Sequence, residues 1–139
     1  MIILRLPYPV SANRLWRCVN GRMVLSAEGR AYKEKAHQLA LEHFPKPFTG
    51  PTSIRLILRP KMNRDGSEDL GGMDLGNCEK IVSDALNRAA WVDDKQHRHI
   101  SKDYGAPVKG GSIVVMIQEC QFKPGTRQIE CTEVAGLEW

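Results

Sequence analysis

Residues 73–94 read Met-Asp-Leu-Gly-Asn-Cys-Glu-Lys-Ile-Val-Ser-Asp-Ala-Leu-Asn-Arg-Ala-Ala-Trp-Val-Asp-Asp. From Leu75, the apolar residues Leu75, Cys78, Ile81, Val82, Ala85, Leu86 and Ala89 recur at steps of three and four. That is helix period, and no proline interrupts it. Asn77, Lys80, Asp84 and Arg88 share the opposite face, and Asp74 stands where an N-cap belongs. The stretch therefore predicts one amphipathic helix of about 16 residues, roughly 24 Å long. A carboxylate lies at its start and two, Asp93 and Asp94, lie beyond its end. The remaining chain reads as a platform for its polar stripe.

Upstream, Ile2 to Leu6 is a short apolar run stopped by Pro7, a first strand. Pro7 to Asn13 holds two prolines and reads as an ordered loop. Asn20-Gly21 between Leu15–Val19 and Arg22–Leu25 is the strongest hairpin signal in the chain. Arg14, Arg17 and Arg22 gather there around Trp16, a combination suited to a phosphate backbone but also to a plain solvated hairpin. Ser26 caps a helix predicted from Ala27 to His43, which Pro45, Pro47, Gly50 and Pro51 terminate. Thr52 to Arg59 alternates as a strand. Residues 61–72 are polar and glycine-rich, a flexible loop into the central helix. Lys95 to Tyr104 predicts an edge strand and Ser112 to Glu119 an apolar one. His97 and His99 would share a face of that edge strand.

This order implies an α+β domain, a mixed sheet covered by two helices, over residues 1–120. Residues 121–139 form a C-terminal tail without clear period. Lys and Arg number 20 against 16 Asp and Glu, so the mild net charge of +4 favours a polyanionic partner. Cys18, Cys78, Cys120 and Cys131 show no metal-ligand or redox spacing. That pattern predicts free thiols and a cytoplasmic location. The N-terminus has no signal-peptide pattern and no apolar run approaches a membrane span.

Carboxylates beside lysines in a net-basic chain suit Mg²⁺-assisted phosphodiester hydrolysis. A hard cation takes oxygen ligands, and a lysine offsets charge growing on phosphate. Lys80 is the candidate lysine. Asp74 and Asp94 could reach one site only if residues 91–94 fold back beside the helix, or if a dimer unites them. The same residues also allow a structural description, with Asp74 a cap and Lys80–Asp84 an i,i+4 surface pair.

Asp-Leu-Gly-Asn-x-x-Lys from Asp74, then Asp84-Ala85-Leu86 and Trp91-x-Asp93-Asp94, resembles the RusA family of Holliday-junction resolvases. Its usual signature is Asp-x-Asp-Asn-x-x-Lys, then Asp-Ala-Leu and an Asp-Asp pair. Leu6-Pro7-Tyr8-Pro9 with Ser11, Asn13 and Arg14 is similar to the family's N-terminal loop. Ser26 to Gly29 with Ala31-Tyr32, and Lys109-Gly110-Gly111, match further. The resemblance covers about residues 2–119. It implies a homodimeric, Mg²⁺-dependent endonuclease, often phage-borne, that nicks two opposed strands of a four-way DNA junction in recombination and repair. It implies Asp74 and Asp94 as catalytic metal ligands with Asp93 beside them, and Lys80 as the essential lysine. A two-fold dimer suits a junction with two equivalent strands. Arg14, Arg17, Lys61, Arg64 and Lys102 are the DNA contacts we expect.

One position departs. The family's second motif aspartate is Gly76 here, which offers no ligand and costs a helix up to about 1 kcal/mol relative to alanine. Three accounts compete. Asp65, Glu68 or Asp69 replaces the missing carboxylate; the chain is a non-catalytic junction-binding relative; or the glycine was acquired under selection against a toxic nuclease. A weaker possibility is a basic domain that binds protein partners through its tail.

Overall fold

The structure is a computed structural model and describes residues 1–122, 125, 129–131 and 138–139. Four strands, β1 (Ile2–Pro7), β4 (Thr52–Arg59), β5 (His97–Tyr104) and β6 (Ser112–Glu119), form one sheet in the order β1-β6-β4-β5. β6 runs antiparallel to β1 and β4, whereas β5 runs parallel to β4, so the sheet is mixed. The parallel step follows from the crossover between them, which carries the central helix. A separate hairpin, β2 (Trp16–Val19) and β3 (Arg22–Leu25), turns through Asn20 and Gly21 at φ 51° and 75°. Two left-handed residues are what a type I′ hairpin turn needs.

Two helices cover one face of the sheet. α2 (Ala27–His43) starts where Ser26 Oγ accepts from the Gly29 amide at 3.0 Å. Its small buried positions, Gly29, Ala36 and Ala40, let it lie close to its neighbours. α3 (Leu75–Leu86) buries Cys78, Ile81, Val82, Ala85 and Leu86, the apolar stripe of the sequence. These meet Leu4 and Leu6 of β1, Ile54, Leu56 and Leu58 of β4, and Ile113, Val115 and Ile117 of β6. Ile57, Val114 and Met116 form a smaller cluster on the sheet's other face, with Ile3 and Trp139 against it.

Several expectations need correction. α3 ends at Leu86 rather than near Ala90, because Arg88 turns left-handed at φ 69° and its amide donates to Trp91 O. A four-residue helix, α1 (Ala12–Leu15), takes the end of the predicted Pro7–Asn13 loop and the first residue of the predicted Leu15–Val19 strand. Residues 61–72 form a hydrogen-bonded turn tied to the 105–111 segment. The Met62 amide donates to Val108 O at 3.1 Å, Asn63 to Ser67 O at 2.8 Å and Asp69 to Lys61 O at 2.9 Å. A register shift pairs Thr52 with His97 but Ser53 with His99, so the two histidines point to opposite faces and form no pair. Cys120 and Cys131 are joined as a disulfide, which leaves Cys18 and Cys78 free. Cys131 approaches through the short ladder β7 (Gln121–Phe122) and β8 (Ile129–Glu130). The expectation for the tail falls largely on residues outside the described set. Among the described residues, no helix is long and apolar enough to cross a membrane.

Candidate nuclease cleft

Asp74 caps α3. Its Oδ1 accepts from the Asn77 amide at 3.0 Å. The segment before it is held by Tyr8, whose Oη accepts from the Met73 amide at 2.7 Å. Tyr8 fits only because Gly72 and Gly111 have no side chain. A Cβ at Gly72 would lie 2.7 Å from Tyr8 Oη, and one at Gly111 would meet the ring itself. Lys61 Nζ lies 5.1 Å from the centre of the Tyr8 ring, a cation–π contact. Residues 8–14 and the start of α3 thus enclose a cleft of about 420 Å³. Ser11, Asn13, Arg14, Lys61, Asp69, Asp74 and Asn77 line it.

Of the expected DNA contacts, Arg14 and Lys61 stand in this cleft beside Asp74. Arg14 also pairs with Glu28 at 3.1 Å. Arg17 lies on β2 and Arg64 at the tip of the 61–72 hairpin, both exposed and both outside the cleft lining. Lys102 is engaged elsewhere. Its Nζ donates to Glu79 Oε2 at 2.7 Å, and that contact raises its pKa.

The other expected site residues gather further along α3. Lys80 Nζ lies 3.6 Å from Asp84 Oδ2, which Lys33 also approaches at 3.8 Å. Trp91 is fully buried, its indole N–H donating to Asn87 Oδ1 at 2.6 Å and its ring edge-on to His97 at 4.4 Å. This anchor turns the chain back, so that Asp94 lies within electrostatic reach of Asp84 and Lys80. Asp93 and Asp94 differ in role. Asp93 caps the 3-10 turn Asp94–Gln96, accepting from the Lys95 amide at 2.8 Å, and that bond holds its carboxyl below the usual range. Asp94 caps nothing and is exposed. Its carboxyl is pushed up, first by the hydrogen bond it shares with Asp93.

The structure thus groups Asp74 with Asp69, and Asp94 with Lys80 and Asp84. Among the described residues, no group of three or more His, Cys, Asp or Glu is placed to hold a metal ion. Gly76 lies between the two groups. It sits one turn before Lys80 on the same helix face, since 76, 80 and 84 are four apart. A Cβ at Gly76 would lie 3.4 Å from Asp74 Oδ1 and meet nothing else within 4 Å. The glycine is therefore not demanded by space or by a left-handed backbone. As it stands, a three-carboxylate metal centre does not fit this chain.

Among the loop carboxylates, Asp65 is turned onto Ser67, accepting from its amide at 2.9 Å and its hydroxyl at 2.5 Å, which lowers its pKa. Glu68 and Asp69 line a second groove of about 390 Å³ that shares Tyr8 and Asp74 with the first. Tyr8, Asn77 and Trp91 carry this geometry, yet the sequence shows them only as members of the motifs that carry the resemblance, with no role of their own.

Residues 7–118 match the family described as Endodeoxyribonuclease RusA. Relatives include the crossover junction endodeoxyribonuclease RusA of Shigella sonnei strain Ss046 and that of Escherichia coli strain K12. Each is 30% identical over 118 residues, covering 84% of this chain and 92% of the relative. The protein of the same name from Enterobacteria phage 82 matches at the same identity and coverage. With an α+β fold, a mixed sheet and a match across most of its length, the chain belongs to the RusA family of endodeoxyribonucleases.

Proposed function

We propose that this protein recognises four-way DNA junctions as a homodimer and that Gly76 holds its Mg²⁺-dependent nicking far below the capacity of the site. The carrying observation is the cleft between residues 8–14 and the start of α3, where Arg14 and Lys61 stand beside Asp74. Arg14 and Lys61 are long cationic side chains that suit a backbone phosphate at the cleft. Asn13 and Asn77 add neutral hydrogen-bonding groups. Lys80, exposed on the polar face of α3 and beside Asp94, suits charge stabilisation at a phosphate under attack. Asp74 and Asp94 are the ligands we assign to the cation when the set is complete, with Asp93 supporting Asp94. Arg17 and Arg64 are further phosphate contacts in this reading, and Lys102 is held by Glu79.

Residues 1–120 form the nuclease domain in this reading, and 121–139 an appended tail. A second reading is supported by the shared cleft of Asp69 and Asp74: Asp69 supplies the carboxylate that Gly76 lacks, and the chain resolves junctions at full rate. The test is fluorescence anisotropy with a labelled four-way junction and a linear duplex of equal length, followed by Mg²⁺ addition. Tighter binding to the junction with slow nicking is the expected result. Equal affinity for both substrates refutes junction recognition, and fast nicking moves the assignment to Asp69.

A further inference from the structure

The β2–β3 hairpin stands apart from the main sheet, and all of its strand residues except Leu25 are exposed. Trp16, Val19, Met23 and Val24 are 41%, 44%, 65% and 39% exposed. A lone two-stranded hairpin is marginally stable in water, so apolar exposure on both faces needs a reason. Cross-strand partners share a face. The register therefore puts Trp16, Cys18, Met23 and Leu25 on one side, and Arg17, Val19, Arg22 and Val24 on the other. One face is uncharged and the other carries two arginines.

Residues 11–27 contain three arginines and no acidic residue. Arg14, at the base, has Glu28, but among the described residues neither Arg17 nor Arg22 has an acidic partner. The hairpin rises from the rim of the cleft, because Arg14 lines the cleft and Trp16 begins β2. Its base is fixed. The Ser26 amide donates to Leu15 O at 2.8 Å, Ser26 Oγ donates to Arg14 O at 2.7 Å, and Gly29 lets Leu15 and Leu25 press onto α2.

We propose that β2–β3 is an arm that enters branched DNA beside the cleft. Arg17 and Arg22 on one face hold backbone phosphates, and Met23, near the tip on the uncharged face, presses against unstacked bases at the branch point. A two-stranded ribbon fits a DNA groove, and apolar side chains serve as wedges between bases. A second copy of the chain is the poorer occupant. Each ribbon face measures only about 14 by 10 Å, well below the roughly 800 Å² per partner of a stable dimer. The proposal rests on the junction reading above, which its test separates from it.

The test uses the full chain and a four-way junction carrying 2-aminopurine at the branch point. The wild-type protein is expected to raise the 2-aminopurine emission on binding. Met23→Ser should lose that rise while still binding. Arg17→Gln/Arg22→Gln should flatten the dependence of log affinity on log salt by about 1.8, near 0.9 per lost phosphate contact. Arg17→Lys/Arg22→Lys should restore the slope, and circular dichroism melting should show all variants folded. Unchanged emission and slope in both glutamine and serine variants overturn the arm. So does an unchanged slope with a dimer that dissociates in sedimentation, which makes the hairpin an interface between copies. If the wild-type binds junction and duplex equally, the junction reading fails, and the arm stands or falls on the same slope measured with duplex.

Discussion

Trp91 sets the path of the chain between α3 and Asp94, and replacing it gives a stability change that the geometry bounds. The side chain is fully buried and donates its indole N–H to Asn87 Oδ1 at 2.6 Å. Trp91→Phe keeps most of the packing and loses that hydrogen bond, at about 1 kcal/mol, with a similar loss from the smaller ring. Trp91→Ala removes the whole side chain and leaves a cavity, at about 3–5 kcal/mol. The unfolding entropy of a chain this long makes each kcal/mol worth roughly 3–4 °C in Tm. Trp91→Phe should therefore melt about 6–8 °C lower, and Trp91→Ala about 9–20 °C lower, by differential scanning calorimetry at neutral pH. A loss under about 1 kcal/mol for the alanine variant would refute the claim that Trp91 anchors this turn.

Three further outcomes follow from particular groups. Gly76→Ala, in the first turn of α3 with open space at its Cβ, should raise stability by about 0.5–1 kcal/mol in urea titration; a loss would show that the glycine is structurally required. His97 is half-buried, and burial lowers its pKa below the ordinary value of 6.5, so its neutral form is the folded one. The stability linked to it is complete above pH 6.5 and is lost as pH falls below that value. His97→Gln should accordingly flatten the fall in Tm between about pH 6.5 and 5, and a parallel fall in both proteins would refute the assignment. With the disulfide intact, a thiol reagent at pH 8 should modify exposed Cys18 and spare Cys78, whose burial pushes its pKa up to about 11; two reactive thiols in the native protein would contradict the packing of α3.

Where local chemistry decides, the chain is legible residue by residue. The limits of α2 follow from Ser26 and from the proline-rich stretch after His43, and the hairpin follows from Asn20-Gly21. The strands Thr52–Arg59 and Ser112–Glu119 announce themselves by composition. Where a partner distant in sequence decides, it is not legible. α3 stops at Leu86 without glycine or proline, because Trp91 bonds back to Asn87 and Arg88. The 61–72 segment bonds to Val108 O through the Met62 amide, which no local pattern announces. One extra residue in β5 separates His97 from His99, and the spacing of Cys120 and Cys131 says nothing of their bond. For the site, the motif residues were visible but their grouping was not. The resemblance names Asp74, Lys80 and Asp94, but the turn through Trp91 that brings Asp94 near Lys80 and Asp84 is one no local pattern announces.

Our proposal makes Gly76 the residue that keeps this site from cutting efficiently. Nicking of a synthetic four-way junction with Mg²⁺ should be measured for the wild-type protein and Gly76→Asp, with binding followed in parallel. Equal binding and at least about 100-fold faster nicking by Gly76→Asp are expected, the scale of restoring one transition-state contact. Equal and rapid nicking by both proteins would contradict it.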